Sequence, residues 1–236
     1  MNPQALENAT RLWPFFSLDI NRTFGLNQTN SIAEETSQTL FQDLKSSSDI
    51  VIDFHSSNLQ LMELPQIRII KGFEKKLLPL AKKCNVDLIW VHPNAEIFAS
   101  TLGFNLNKAK TPTLVIETGI CLRIHPSNND QIFNGMLNLL HDTGTLKITQ
   151  PTGKEPKLVQ PGEVVMIQAQ HSGLFIKQVE IGKVLAEGEK LGKLIDPVSG
   201  HILEEIFSPC SGLLFTIREH PLAHKGSSLA RIAKVM

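Results

Sequence analysis

The sequence predicts an α/β layer built around a mostly parallel sheet, followed by a small all-β module of sandwich or barrel-like form. Two observations carry this. From Ser31 to about Leu146, strand-like and helix-like segments alternate, the signature of strands joined through crossover helices. From Thr149 onward, Gly and Pro recur every few residues between short apolar runs, the punctuation of β-strands joined by turns. The expected boundary places an α/β domain at 1–148 and an all-β domain at 149–236.

In the first half, Ser31 and Glu34 form an S-x-x-E capping box at the start of a helix. Ile32, Leu40, Phe41 and Leu44 fall close to one face of that helix. Ile50-Val51-Ile52-Asp53-Phe54 then reads as a mostly buried strand. Phe73 to Cys84 reads as a helix that Pro79 should kink. Val86 to Val91 and Thr113 to Ile116 are further strands, and Asn128 to His141 is a helix ended near Gly144.

In the second half, Ser172-Gly173-Leu174 returns as Ser211-Gly212-Leu213, and Gly188 with Leu191 returns as Gly226 with Leu229. Two similar β halves imply pseudo-two-fold symmetry like that of lipoyl and biotinyl carriers. Such carriers present a modifiable lysine at the hairpin between the halves. Here that turn is Asp196-Pro197-Val198-Ser199-Gly200, without lysine, which argues against a carrier role.

Composition narrows the function classes. The 236 residues hold 23 Lys plus Arg and 23 Asp plus Glu, for zero formal charge. That balance offers no footprint for nucleic acid or an anionic membrane, though a small anion needs only a few local cations. Cys84, Cys121 and Cys210 are scattered without C-x-x-C spacing, so reduced thiols in a cytoplasmic protein are expected. No apolar run approaches the roughly 18 residues of a membrane span. The composition leaves a homo-oligomer open.

Three constellations could carry chemistry. The first is Asn2-Pro3, then Arg11, then Asp19-Ile20-Asn21-Arg22-Thr23-Phe24. The second is Asp53-Phe54-His55, which places a histidine just past the carboxyl end of a strand, and the third is Ile116-Glu117-Thr118-Gly119, which places a carboxylate at the corresponding end of another. Ligands of open α/β sheets bind at such strand ends. Taken singly, each of these residues has a plain structural use, as a surface arginine, a hydrogen-bonded histidine or a turn carboxylate.

Taken in order, N-P-x-A, an arginine, D-I-N-R-x-F, D-F-H and E-x-G resemble the succinylglutamate desuccinylase/aspartoacylase family. Glu117 to Ile124 and the C-terminal Ser208-Pro209-x-Ser211-Gly212 extend the resemblance along nearly the whole chain. It implies a metallocarboxypeptidase-like fold and zinc-dependent hydrolysis of an amide in an N-acylated amino acid or related amine. By the same resemblance, His55 is the third zinc ligand and Glu117 activates the zinc-bound water and shuttles its proton. Asn21 and Arg22 would bind a substrate carboxylate, and Arg11 would polarise the scissile carbonyl. These roles suit the residue types: imidazole ligates zinc, a carboxylate relays protons, and a guanidinium forks onto a carboxylate.

One departure stands out. The family's other two zinc ligands come from an H-x-x-E motif upstream of the N-P segment; the H-x-x-E present here, His201 to Glu204, lies instead in the C-terminal β half. Either the natural start lies further upstream or the gene is truncated. The chain as given is expected to bind zinc weakly or not at all, with a sheet edge and a helix face left uncovered. Recruitment of His92 or His125 as a replacement ligand matches no position of the family pattern.

Overall fold

The computed structural model describes residues 3–14, 17–26, 30–93, 96–149, 151 and 153–234. Asn2, which opens the N-P-x-A pattern, lies outside them. The elements run α1 (Pro3–Glu7), α2 (Ile32–Ser47), β1 (Val51–Ser56), β2 (Leu61–Ile70), α3 (Glu74–Ala81), β3 (Leu88–His92), α4 (Leu102–Lys108), β4 (Thr113–Gly119) and α5 (Pro126–Asp142). The remaining nine strands all belong to the Gly-rich half. They are β5 (Lys157–Val159), β6 (Val164–Gln168), β7 (Gly173–Lys177), β8 (Val184–Leu185), β9 (Lys190–Ile195), β10 (Ile202–Phe207), β11 (Gly212–Arg218), β12 (Leu222–Ala223) and β13 (Ser228–Lys234).

The fold is mixed α/β. A nine-stranded sheet has the order β1-β4-β2-β11-β13-β6, with β3 beside β2, β5 beside β3 and β8 beside β11. A second, four-stranded sheet runs β10-β9-β7-β12 and is antiparallel throughout. The large sheet is mixed because β11, β13, β6 and β8 join it antiparallel, while β3 and β5 pair parallel. Two compact units are distinguished within the chain.

The first unit comprises Met1–Asp53, Ile69–Leu77 and His92–Val115. Helix α2 starts where the capping box places it: Ser31 Oγ accepts from Glu34 N at 3.3 Å, and the Glu34 carboxylate accepts from Asn30 N at 2.6 Å. Leu40, Phe41 and Leu44 pack with Phe24, Val51, Leu102 and Leu106. Each fully buried side chain of this size is worth about 1.5–3 kcal/mol. Ile32, expected on the same face, is 59% exposed, because it sits in the first turn beyond the reach of that core. Strand β1 also departs from expectation, since within it only Val51 is buried. Its place at the end of the sheet order leaves the rest half-covered. Helix α3 begins at Glu74 and ends at Ala81, shorter than the expected Phe73–Cys84.

Helix α4 was not expected, because Gly103, Asn105 and Asn107 are weak helix formers. Side chains hold it instead. Thr101 Oγ1 accepts from Phe104 N at 3.4 Å, and Asn107 bridges Gly103 O to both N and O of Thr113 at 2.8–2.9 Å.

The second unit comprises Phe54–Arg68, Leu78–Val91 and Ile116–Met236. Its interior includes Leu88, Trp90, Val159, Phe215 and Ala233, with Trp90 and Phe215 edge to face at 5.8 Å. Helix α5 opens with Pro126 in its first turn, two residues before the expected start. The repeat seen in the sequence is realised as paired strands. Strand β7 pairs with β9 and β12, as β11 pairs with β13 and β8. Leu185 opposes Gly212 just as Ala223 opposes Gly173. At the tip between β9 and β10, Asp196 Oδ1 accepts from Val198 N at 2.9 Å and Ser199 N at 2.7 Å, closing a turn that Gly200 leaves with φ +73°.

Candidate active site

In the first unit the D-I-N-R segment forms a 3-10 turn, Ile20–Arg22, capped by its own aspartate. Asp19 Oδ1 accepts from Asn21 N at 3.0 Å. The other carboxylate oxygen of Asp19 receives Arg11, with Nη2 at 2.7 Å and Nε at 3.2 Å. Arg11 is 67% exposed along its side chain, so this pair contributes little to stability. Its effect is to hold a guanidinium beside the turn. Asn21 Oδ1 accepts from Leu102 N at 2.9 Å, satisfying one of the unpaired donors at the start of α4. Arg22 is exposed and donates from Nη1 to Asn21 O at 2.7 Å. Arg11, Asp19, Asn21 and Arg22 therefore form one connected group.

In the second unit, the ends of β1 and β4 are tied together. Ser57 N donates to Thr118 O at 3.4 Å, Cys121 N donates to Asn58 O at 3.3 Å, and Cys121 Sγ lies 3.3 Å from Ser56 Oγ. At the other ends of the same strands Val51 N donates to Pro112 O at 2.9 Å. The two N–H···O bonds share one offset, as parallel in-register strands require. That register sets His55 opposite Glu117, so the two side chains leave the same face. His55 is the next-to-last residue of β1, not beyond its end, and Glu117 stands two residues before the end of β4.

The turn after Glu117 needs its glycine. Gly119 has φ +63°, and a Cβ there would lie 2.5 Å from the His125 ring. His125 Nε2 accepts from Ile120 N at 3.3 Å, and Asn128 Nδ2 donates to Thr118 Oγ1 at 3.0 Å. His125 thus serves the turn. His92 ends β3 and packs edge-on to Phe98 at 4.8 Å.

A charged group that sequence reasoning missed surrounds Glu117. Arg68 Nη1 lies 3.2 Å from Glu117 Oε1, while its Nη2 donates to both oxygens of Glu63 at 2.8 and 3.1 Å. Glu63 is 2% exposed and also receives Gln66 Nε2 and Arg231 Nη1, each at 2.8 Å. Both guanidinium groups stand over the Trp90 ring, at 5.8 and 5.9 Å. Burial draws Arg231 below arginine's ordinary range, with Glu63 opposing that shift. Pro65, which has no ladder donor, lies between Glu63 and Gln66 within β2. Two charges inside the apolar run Leu61–Ile70 were the readable signal; nothing in the sequence pointed to Arg231.

A catalytic zinc centre takes three protein ligands. Among the described residues no three His, Cys, Asp or Glu side chains are grouped to hold a metal. The described residues therefore do not fit a complete zinc centre, although His55 has the right chemistry for one ligand.

Comparison with known proteins is consistent across the chain. Residues 1–142 match the succinylglutamate desuccinylase/aspartoacylase catalytic domain. The N-alpha-acetyl-L-2,4-diaminobutyric acid deacetylase of Halomonas elongata is 23% identical over 256 residues, covering 100% of this chain and 71% of that protein. The product-bound ectoine utilization protein EutE (DoeB) from Ruegeria pomeroyi superposes with a TM-score of 0.83 at 18% identity, over 99% of this chain and 73% of that one. A succinylglutamate desuccinylase/aspartoacylase from Rhodobacter sphaeroides gives 0.82 at 20%, over 98% and 72%. The structural likenesses establish the fold.

Proposed function

The chain belongs to the succinylglutamate desuccinylase/aspartoacylase family, a family of deacylases, and from that premise we propose that it hydrolyses the amide bond of an N-acylated amino acid or related small N-acylated amine. The observation that carries this reading is the placement of His55 and Glu117 opposite each other at the carboxyl ends of β1 and β4. Glu117 takes the proton of the attacking water and returns it to the leaving amine, a role worth roughly 10²–10⁴-fold. Asn21 and Arg22 bind the substrate carboxylate, and Arg11 polarises the scissile carbonyl. His55 is the residue suited to zinc. Because the described residues do not complete a zinc centre, the proton transfer is assigned to Glu117 alone.

The α/β part, residues 1–148, is proposed as catalytic, and the all-β part, 149–236, as a separate domain. The substrate is a small molecule rather than nucleic acid or membrane, in keeping with zero formal charge. Among the described residues no helix is long and apolar enough to cross a membrane; a cytoplasmic location is part of the proposal.

A second reading is a non-catalytic small-carboxylate binder, favoured by the incomplete ligand group. The two separate in one experiment. The purified chain, with and without added zinc, is assayed against a panel of N-acyl amino acids that includes N-acetyl-2,4-diaminobutyrate, and its metal content is measured in parallel. Hydrolysis abolished by Glu117→Gln supports the deacylase. Binding of the panel without turnover under every zinc condition supports the binder and overturns the first reading.

A further inference from the structure

The buried group around Glu63 has a shape that stability alone does not explain. Burying ion pairs costs desolvation, and apolar replacements of similar volume are often as stable or more so. Here two arginines and two glutamates meet over one tryptophan ring, with Glu63 receiving three donors. The guanidinium of Arg68 is fixed by two constraints. Its Nη2 is shared between both oxygens of Glu63, and its face lies on Trp90. A planar fork held in this way has no freedom to turn. Its remaining arm, Nη1, is the one that reaches Glu117. Glu63 is in turn anchored from the far end of the chain, by Arg231 in β13.

We infer that Arg68 is the positioning residue for Glu117, and that Arg231, acting through Glu63, sets Arg68 in place. The last strand of the chain thereby determines where the Glu117 carboxylate points. The word positioning rests on the role proposed for Glu117; the geometric relation does not. Lysine could not replace the arginine, because a single ammonium cannot span Glu63 and Glu117 as a fork does.

The test uses the full chain labelled with 13C at the glutamate carboxyl carbons, at neutral pH and without substrate. The Glu117 resonance is identified by its loss in Glu117→Gln. In Arg68→Gln it is expected to shift to the position of a solvent-exposed glutamate, as read from the unfolded chain. Arg68→Lys should restore it only in part, and Arg231→Gln should shift it partway in the same direction. A merely structural cluster would lower stability in these variants and leave the resonance of the folded chain where it was. That result overturns the inference. Should Arg68→Gln fail to fold, Arg231→Gln decides, and an unmoved Glu117 resonance there overturns it equally.

If the parent chain hydrolyses an N-acyl amino acid, Arg68→Gln should also lower kcat by up to roughly 10²-fold, the cost of a misplaced group, with KM unchanged. A moved resonance in a chain without hydrolysis would retain the positioning and refute the proposed activity. An unmoved resonance in an active chain would do the reverse.

Discussion

Ser172 and Ser211 each hold a turn belonging to the opposite half of the β segment: Ser172 Oγ accepts from Lys225 N at 3.0 Å, and Ser211 Oγ accepts from Glu187 N at 3.2 Å. The glycine after each donor, Gly188 or Gly226, takes a positive φ, +78° or +84°. The repeat in the sequence is thus a pair of reciprocal clamps. Both sites are exposed, so water can replace part of each bond. Ser172→Ala and Ser211→Ala should therefore each cost about 0.5–1.5 kcal/mol. Urea unfolding would show this as a lower midpoint with an unchanged slope. A cost in one half and none in the other would refute the symmetry of the clamps.

Gly135 in α5 makes a harder demand. A Cβ at this position would lie 1.9 Å from the carbonyl oxygen of Cys84, a backbone atom that cannot swing aside. Alanine would gain about 1 kcal/mol of helix propensity. Overpacking costs about 1–3 kcal/mol and occasionally more, and at this distance the overlap wins. Gly135→Ala is expected to lower stability, measured by thermal or urea unfolding. A stabilised variant would show that α5 can move away from the Cys84 turn without loss.

The alternation of strands and helices was legible in part because α2 carries its own start signal, Ser31 with Glu34, whereas the start of α5 at Pro126 was expected two residues later. Strand β2 was not. Glu63, Pro65 and Arg68 break its apolar pattern, and their reason lies in partners outside the segment. Helix α4 was hidden likewise, since Asn21 supports its start from 81 residues away. At the candidate site, D-F-H and E-T-G could be read because strand-end motifs are local. The Glu63–Arg231 pair joins residues 168 apart, and no local pattern encodes a contact of that kind. The same holds for β11 pairing with β2, which sets Thr216 opposite Glu63.

Cys84 gives a prediction in pH. Its side chain is fully buried, and burial pushes the thiol up from 9.0 to about 12. The folded chain keeps this proton over a range in which the unfolded chain has lost it. The stability this contributes is fully present below pH 9.0 and is lost as pH rises toward 12. In that window the slope approaches about 1.4 kcal/mol per pH unit. Cys84→Ala should flatten the alkaline decline in urea midpoint, whatever it does to stability at neutral pH. In the native chain Cys84 should also resist a thiol reagent until the protein unfolds. Rapid labelling of Cys84 in the folded chain would contradict its burial.

Asn21 and Arg22 stand side by side in the proposed carboxylate site, yet the structure gives them different second tasks. Asn21 Oδ1 satisfies Leu102 N at the first turn of α4. Removing that acceptor leaves a partly buried donor without its partner, so Asn21→Ala should lower stability by about 1–3 kcal/mol. Asn21→Asp keeps an acceptor at the same place and should retain most of that stability. Arg22 is exposed and donates to the neighbouring carbonyl of Asn21. Arg22→Lys should therefore leave the unfolding midpoint within about 0.5 kcal/mol of the parent. Lysine keeps the charge but loses the planar fork. If Arg22 holds a substrate carboxylate, the same variant should weaken binding of an N-acyl amino acid by about 1.5–3 kcal/mol. Calorimetric titration and urea unfolding on the three variants separate the two tasks. Unchanged affinity in Arg22→Lys would remove Arg22 from the site, and a stable Asn21→Ala would mean that α4 starts without its help.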